Sequence, residues 1–217
     1  PLNGALLTTE WPLGWGVTDR VTLTTNSASP APSLAHLVVQ VYPAGHPDEQ
    51  VVARSSGGAA VGTAQVASII LRSTGPPAAI TPLPQAVHAI LGNQVELVGA
   101  ALPQAAAAGS PVSVRLRWQA LQALRGDYTA FIHGTDARGR LVFQADSRPH
   151  GGRLPTTDWV AGEIVNDTMV VPIGDQTPSG SYALSVGLYD LHTMGRLLLA
   201  NGQSEISLGS LQVTGSE

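Results

Sequence analysis

Apolar and polar side chains alternate along several short stretches of the second half of the chain. The clearest is PVSVRLRWQ, residues 111–119, where Val112, Val114, Leu116 and Trp118 fall on one face. A period of two is that of a β-strand with one face in a core and the other in solvent. This stretch therefore predicts a strand of a half-buried sheet.

Six further stretches of 7 to 11 residues have the same character and follow one another at short intervals. They are QVELVGAAL (94–102), DYTAFIHGT (127–135), RLVFQAD (140–146), EIVNDTMVVPI (163–173), SYALSVGLYD (181–190) and SEISLGSLQV (204–213). DARG, at 136–139, is a plausible hairpin turn. About seven strands in roughly 130 residues predict a two-sheet sandwich.

One motif narrows the sandwich class. PSGSYALSV, residues 178–186, resembles the tyrosine corner of immunoglobulin-like and fibronectin-like domains, in which a Tyr after a Gly-containing turn bonds back to the backbone. The predicted class is therefore mainly β, an immunoglobulin- or fibronectin-like sandwich, with a jelly roll as the alternative.

A proline-rich stretch divides the chain. STGPPAAITPLPQA, residues 73–86, contains four prolines, which fix φ and remove backbone donors as in a semi-rigid spacer. We therefore expect a first segment over 1–72, a linker over 73–86 and a complete module over 87–217.

An internal repeat defines the first segment. PLNGALLTTEWPLGWGVTD (1–19) aligns without gaps with PHGGRLPTTDWVAGEIVND (149–167), and nine of nineteen positions are identical. Chance would give about one or two at ordinary residue frequencies. LVVQVYP (37–43) also matches LSVGLYD (184–190). The first segment therefore has the pattern of the C-terminal half of the second module.

A half module would leave an apolar face and a sheet edge uncovered. We expect the first segment to complete itself against the second module or against a neighbouring copy of the chain, as a homodimer. The chain begins at Pro1 without Met or a signal-like segment, so we read it as part of a longer protein.

Composition excludes several classes of function. The net charge is −4 and the eleven cationic residues are scattered arginines, which argues against nucleic-acid binding. The absence of cysteine excludes disulfides and thiolate metal sites. No apolar run approaches the ~20 residues of a membrane helix, so we expect no membrane insertion by this segment.

No organised catalytic motif is present. The sequence contains no GxSxG, P-loop, GxGxxG or HExxH pattern. We therefore expect no enzyme, no cofactor and no metal. Calcium is the alternative, because acidic residues fall near predicted strand ends: Asp136, Asp146, Asp158, Glu163, Asp167 and Asp190. Turns favour Asp for a simpler reason, since its side chain bonds local backbone amides.

Carbohydrate binding would rest on aromatic rings, with nearby polar groups bonding the sugar hydroxyls. Phe131, His133 and Tyr189 alternate onto the outer face of their strands and are the best surface candidates. Trp159, with Asp158 beside it, is ambiguous: it either belongs to a ligand site or plugs the end of the sandwich. Burial of Trp159 and Tyr189 would favour a scaffold, and a shared groove would favour a sugar site.

Several motifs together resemble one group of proteins. YTAFIH (128–133), GGRLPTTDWVAGE (151–163) and PSGSYALSVGLYD (178–190) are similar to the extracytoplasmic β-sandwich modules that follow the membrane region of bacterial dolichyl-phosphate-mannose-type glycosyltransferases. The resemblance implies a location at the cell surface or in secretion, on a longer membrane-anchored protein. We expect a non-catalytic scaffold or interaction module of the cell envelope, whose partner is a protein or an envelope polysaccharide; a carbohydrate-binding module is the alternative.

Overall fold

Two β-sheets stack around one apolar core. The computed structural model describes residues 18, 20–25, 32–43, 46, 48–49, 51–54, 57–61, 64–72 and 81–215. The chain divides into two compact units, residues 1–31 and 32–217, and the features described below belong to the second. The class is mainly β, as the alternating pattern predicts.

The strands are numbered in chain order. They are β1 (Ser33–Val39), β2 (Ala53–Arg54), β3 (Ala60–Val61), β4 (Ala64–Leu71), β5 (Gln85–Leu91), β6 (Val95–Ala101), β7 (Ala105–Ala107), β8 (Val112–Ala120), β9 (Tyr128–Thr135), β10 (Leu141–Ser147), β11 (Ile164–Val171), β12 (Gly180–Asp190) and β13 (Ile206–Thr214). Two short 3-10 turns, Pro149–Gly152 and Thr156–Asp158, lie in the crossover between β10 and β11.

The connectivity is that of the immunoglobulin fold. One sheet has the order β11-β8-β6-β5, and the other has the order β10-β9-β12-β13-β7. Strands β8 and β11 pair as strands B and E do, while β10, β9, β12 and β13 follow one another as C′, C, F and G do. The short β7 pairs in parallel with β13. This order supports the immunoglobulin-like prediction over the jelly roll.

Side-chain alternation builds the core. On β8, Val112, Val114, Leu116 and Trp118 are all buried, with at most 6% of their surface exposed, whereas the intervening positions are exposed or half-buried. Tyr182, Leu184, Val186 and Leu188 of β12 are buried opposite them. Burial of such a row stabilises the fold because each large apolar side chain contributes roughly 1.5–3 kcal/mol.

The tyrosine corner forms as its motif predicts. The hydroxyl of Tyr182 donates to the backbone carbonyl of Pro178 at 2.7 Å, and its ring lies 5.3 Å from that of Phe143. This bond fixes the turn that leads into β12, the strand at the centre of the five-stranded sheet.

The first segment contributes a hairpin. Strands β1 and β4 pair antiparallel, and the end of β1 overlaps LVVQVYP, the stretch that matches residues 184–190 of β12. The backbone amide of Leu34 donates to the carbonyl of Arg153 at 2.8 Å, and Arg72 forms an ion pair with Glu163 at 3.1 Å. The hairpin thus rests on the crossover that carries the second copy of the repeat.

The predicted division into 1–72, 73–86 and 87–217 stays a prediction. Residues 73–80 of the predicted linker and residues 1–17 and 19 of the first repeat copy, with Trp11 and Trp15, lie outside the described residues. Strand β5 begins at Gln85, inside the predicted linker, because its alternation starts only after the last proline.

Candidate functional site

Trp159 lies inside the sandwich. Only 1% of its surface is exposed, and its indole N–H donates to the carbonyl of Leu154 at 3.2 Å. A ring that is buried and hydrogen-bonded internally presents no face to a ligand. Of the two alternatives for Trp159, the structure favours the plug at the end of the sandwich.

The neighbouring threonine joins two parts of the chain. The hydroxyl of Thr156, which is fully buried, donates to the carbonyl of Gly126 at 2.8 Å and accepts from the amide of Tyr128 at 2.7 Å. Gly162, with a φ of +83°, donates to the carbonyl of Ala120 at 2.7 Å. The motif TTDWVAG therefore fastens the β10–β11 crossover to the ends of β8 and β9.

Asp158 contacts its neighbours through its backbone. Its backbone amide donates to the carbonyl of Pro155, and its backbone carbonyl accepts from the guanidinium of Arg72. The structure thus places Asp158 beside the β1–β4 hairpin, and it is not among the residues that line the groove described next.

The outer face of the five-stranded sheet carries a groove. We call it the outer groove; its volume is about 320 Å³, and it is lined by Phe131, His133, Gln144, Asp146, Tyr189, Met194 and Arg196. It therefore contains Phe131, His133 and Tyr189, three of the five predicted candidates, and leaves out Trp159 and Asp158.

The three aromatic candidates form one cluster. The ring of Phe131 lies 4.7 Å from that of His133 and 6.1 Å from that of Tyr189, between centroids. The guanidinium carbon of Arg196 stands 4.4 Å above the Phe131 ring. Phe131 faces outward, as its alternation predicts, but only 2% of its surface is exposed. The expectation that it is a surface ring is wrong, because Arg196 and His133 cover it.

A glycine makes room for this buried ring. A Cβ at Gly187, which lies opposite Phe131 on β12, would come within 2.3 Å of the ring and 2.5 Å of the carbonyl oxygen of Ser204. Only glycine lets the ring lie across the neighbouring strand, so Gly187 sets the depth of the outer groove.

A charged network forms one wall. Glu205 accepts from the guanidinium of Arg196 at 2.8 Å, lies 3.1 Å from the Nδ1 of His133, and accepts from the Ser185 hydroxyl. Partial burial opposes its ionisation, but the hydrogen bond from Ser185 and the charges of His133 and Arg196 outweigh that effect and lower the pKa of Glu205.

The opposite wall is open and polar. Gln144 and Asp146 are exposed and lie on β10 opposite His133 and Phe131. Burial, followed by the negative charge of Asp146 and its hydrogen bond, raises the pKa of Tyr189, so the phenol stays protonated beside the carboxylate. Met194, 65% exposed, forms an apolar rim.

Sequence reasoning did not find four of these residues. Gln144 lines the outer groove from β10, and Met194 and Arg196 line it from the loop after β12. Glu205, at the end of that loop, does not line the groove but bonds Arg196. The alternation of β10 could have identified Gln144, because it places this residue on the same face as Asp146.

The acidic side chains of the turns bind their own backbone. Asp136 accepts from the amides of Arg138 and Arg140, and Asp190 accepts from those of His192 and Thr193. In the part of the chain that the structure describes, no group of three His, Asp or Glu side chains could hold a metal ion. The local-turn interpretation accounts for these two residues without calcium.

The nine repeat-identical positions in the second copy are mostly structural. Pro149, Leu154, Thr156, Trp159, Val165 and Asp167 are buried, and Gly152 and Gly162 have positive φ. The remaining member, Thr157, is exposed. In the second copy, the identical positions of 149–167 thus mainly form the fold. Of the residues that line the outer groove, Tyr189 lies in the other repeated stretch, LSVGLYD (184–190).

Over the described ranges, no helix is both long and apolar enough to span a membrane. No protein-family model matches the chain, and no curated protein matches it.

Solved structures give distant similarities. The C-terminal domain of wzt aligns with 59% of this chain and 77% of its own, at 13% identity and a TM-score of 0.41. A Niemann-Pick type C2 protein from Japanese carpenter ant aligns with 59% of this chain and 99% of its own, at 6% identity and a TM-score of 0.41. The CARDB domain of a Pyrococcus furiosus protein in complex with di-metal ions aligns with 54% of this chain and 90% of its own, at 11% identity and a TM-score of 0.33. Identities this low carry no information about a shared ligand or activity.

Proposed function

We propose that the chain is a non-catalytic, extracytoplasmic β-sandwich module that serves as a scaffold or interaction module of a cell-envelope protein. The observation that carries the proposal is the use of the repeated motif. Trp159, one of the residues considered for a ligand site from the sequence, and Thr156 of the same motif are buried and hydrogen-bonded within the sandwich. A motif repeated for architecture is what a scaffold requires.

The charged groups outside the core support the same proposal. Glu205 is already engaged by Arg196, His133 and Ser185, so it is not a free general base. A catalytic carboxylate would need an unoccupied lone pair directed at a substrate. This arrangement holds a loop in place rather than preparing a proton transfer.

The location is tested on intact cells that express the full-length protein. An antibody against residues 81–215 should label unpermeabilised cells, and an antibody against a cytoplasmic protein should not. Labelling that appears only after permeabilisation would contradict an extracytoplasmic scaffold.

Self-association belongs to the same proposal. Several large apolar side chains of the hairpin are exposed, including Val38, Val39 and Val66, and exposed apolar side chains are candidate contacts with a partner. Light scattering after size exclusion should give a dimer, which Val39→Asp together with Val66→Asp should convert to a monomer. A wild-type protein that is monomeric at all concentrations would contradict self-association through the hairpin.

A further inference from the structure

We infer that the outer groove binds a neutral, hydroxyl-rich ligand, one sugar unit of a glycan, through Gln144, Asp146 and Tyr189. This inference goes beyond the scaffold proposal and does not depend on it. It starts from a buried aromatic ring, Phe131, on the face of the sheet that points away from the core.

The floor of the groove is held rigidly. Phe131 is not part of the main apolar core, yet it is 2% exposed, because Arg196 lies on its ring and His133 packs beside it. Arg196 is itself fixed by Glu205. A surface kept in one conformation loses little conformational entropy when a ligand binds.

The polar groups that remain accessible include both hydrogen-bond donors and hydrogen-bond acceptors. The carboxylate of Asp146 accepts hydrogen bonds at several lone pairs, and the amide of Gln144 both donates and accepts. The two side chains stand on one face of β10, two residues and therefore roughly 7 Å apart. That separation is close to the width of one sugar ring with its hydroxyl groups.

Charge selects against ionic ligands. The positive charge of Arg196 is neutralised by Glu205 at 2.8 Å, and Asp146 is left facing the groove, so an anion would meet an uncompensated carboxylate. A metal cation would need more oxygen ligands than one carboxylate and one amide supply. A ligand with several uncharged hydroxyls matches the available donors and acceptors.

Apolar contacts complete the site. Tyr189 is half-buried, and Met194 is 65% exposed at the rim, so both present carbon surface next to the polar groups. The volume of about 320 Å³ lies at the lower end of the range for small-ligand sites, roughly 300–1,000 Å³. This suits one ring of a longer chain that continues into solvent.

The test is a titration of the isotopically labelled full chain, followed by amide chemical shifts. The probes are the methyl glycosides of glucose, galactose, mannose and N-acetylglucosamine, with glucuronic acid as a charged counterpart, each raised through the millimolar range. At least one neutral glycoside should shift the amides of Phe131, His133, Gln144 and Tyr189. Glucuronic acid should bind more weakly than methyl glucoside.

Two variants and a matched control assign the binding. Asp146→Asn and Gln144→Ala should each raise the Kd about tenfold, which corresponds to one lost hydrogen bond in a polar site. Gln212→Ala removes an exposed glutamine from the outer face of β13, in the same sheet, and should leave the Kd unchanged. Circular dichroism shows that each variant is folded.

Three results would overturn the inference. They are the absence of shifts at these amides with every neutral glycoside, an unchanged Kd in both folded groove variants, and tighter binding of glucuronic acid than of methyl glucoside. None of them bears on cell-surface labelling, so failure here is distinct from failure of the scaffold proposal.

Discussion

Trp159 and Phe131 are aromatic residues that sequence reasoning treated as potential ligand contacts, and the structure gives each a different environment. Trp159 is enclosed by the core and bonds the carbonyl of Leu154. Phe131 is buried on the outside of a sheet, beneath a guanidinium. Both rings are inaccessible, but only Phe131 lies next to polar side chains that reach solvent, which makes its surroundings the better site.

Replacement of Trp159 should cost the module much of its stability. Trp159→Ala removes a large, fully packed ring and leaves a cavity, for which we expect a loss of about 3–5 kcal/mol in the free energy of unfolding. Urea denaturation followed by circular dichroism measures it. Val160→Ala, at a position that is 46% exposed, is the control and should change stability by less than about 0.5 kcal/mol. A loss below about 1 kcal/mol for Trp159→Ala would show that the ring is not part of the core.

Thr156 offers a second test at the same scale. Thr156→Val keeps the shape but leaves the carbonyl of Gly126 and the amide of Tyr128 without their partner, which should cost about 1–3 kcal/mol. The exposed neighbour supplies the control, because Thr157→Val changes a side chain at the surface and should be nearly neutral. Equal effects of the two substitutions in the same denaturation assay would refute the clamp role of Thr156.

At the scale of elements, the loop between β12 and β13 determines what the outer face presents. It places Arg196 over Phe131 and leads to Glu205, which bonds back to Ser185 on β12. Tyr189 also pairs with Arg196 through an isolated backbone bridge. The loop is thus fastened to the sheet by backbone and side chains, and the network around Glu205 couples its position to pH.

The contribution of Glu205 to the free energy of unfolding depends on pH with a definite sign. Because the folded-state pKa of Glu205 lies below the ordinary value of 4.5, its ionised form stabilises the fold above that pH, and the contribution is lost as the pH falls through the folded pKa. Glu205→Gln should therefore lower the unfolding free energy at pH 7 and have a smaller effect at pH 3. Parallel urea denaturation at the two pH values measures this.

An exposed acid gives the comparison for that experiment. Asp175→Asn, in the loop before β12, should not reproduce the difference between the two pH values. If Glu205→Gln destabilises the module equally at pH 7 and pH 3, the charge of Glu205 is not what holds the loop.

The strands themselves were largely predictable, since period-two alternation and one tyrosine corner indicate where β8, β12 and their neighbours run. Strand β7, with three alanines, has no amphipathic signal and exists because β13 offers it a free edge. After β8 ends at Ala120 the chain bends, where the amide of Leu121 donates to the carbonyl of Gln94. The outer groove was predictable only in part, as loop residues reach it through tertiary contacts.

At the scale of the molecule, polar contacts join the β1–β4 hairpin to the β10–β11 crossover, and Ile70 of β4 packs against the core. Arg72 makes two of these polar contacts, with the carboxylate of Glu163 and the carbonyl of Asp158. Glu163 also accepts from the amide of Val160, so one carboxylate serves both the crossover and the hairpin. Removing the guanidinium should loosen the hairpin and leave the sandwich intact.

Hydrogen exchange tests this dependence. In Arg72→Ala, the amides of residues 33–39 should exchange at least several-fold faster than in the wild type, because local opening costs less free energy, while those of 112–120 should not change. Arg54→Ala, which removes a guanidinium that donates to the nearby carbonyl of Gly58, is the control. Unchanged exchange over 33–39 in Arg72→Ala would mean that other contacts hold the hairpin.

The position of β13 has a consequence for synthesis of the protein. This strand lies between β12 and β7 and contributes Leu208, Leu211 and Val213 to the core, yet it leaves the ribosome after all the other described strands of the sandwich. Until residue 214 emerges, a nascent chain exposes the edge of β12 and the apolar, core-facing side of the sheet. Such a surface binds chaperones and promotes aggregation. Truncated products that lack this strand should therefore be degraded rather than accumulate as partly folded modules.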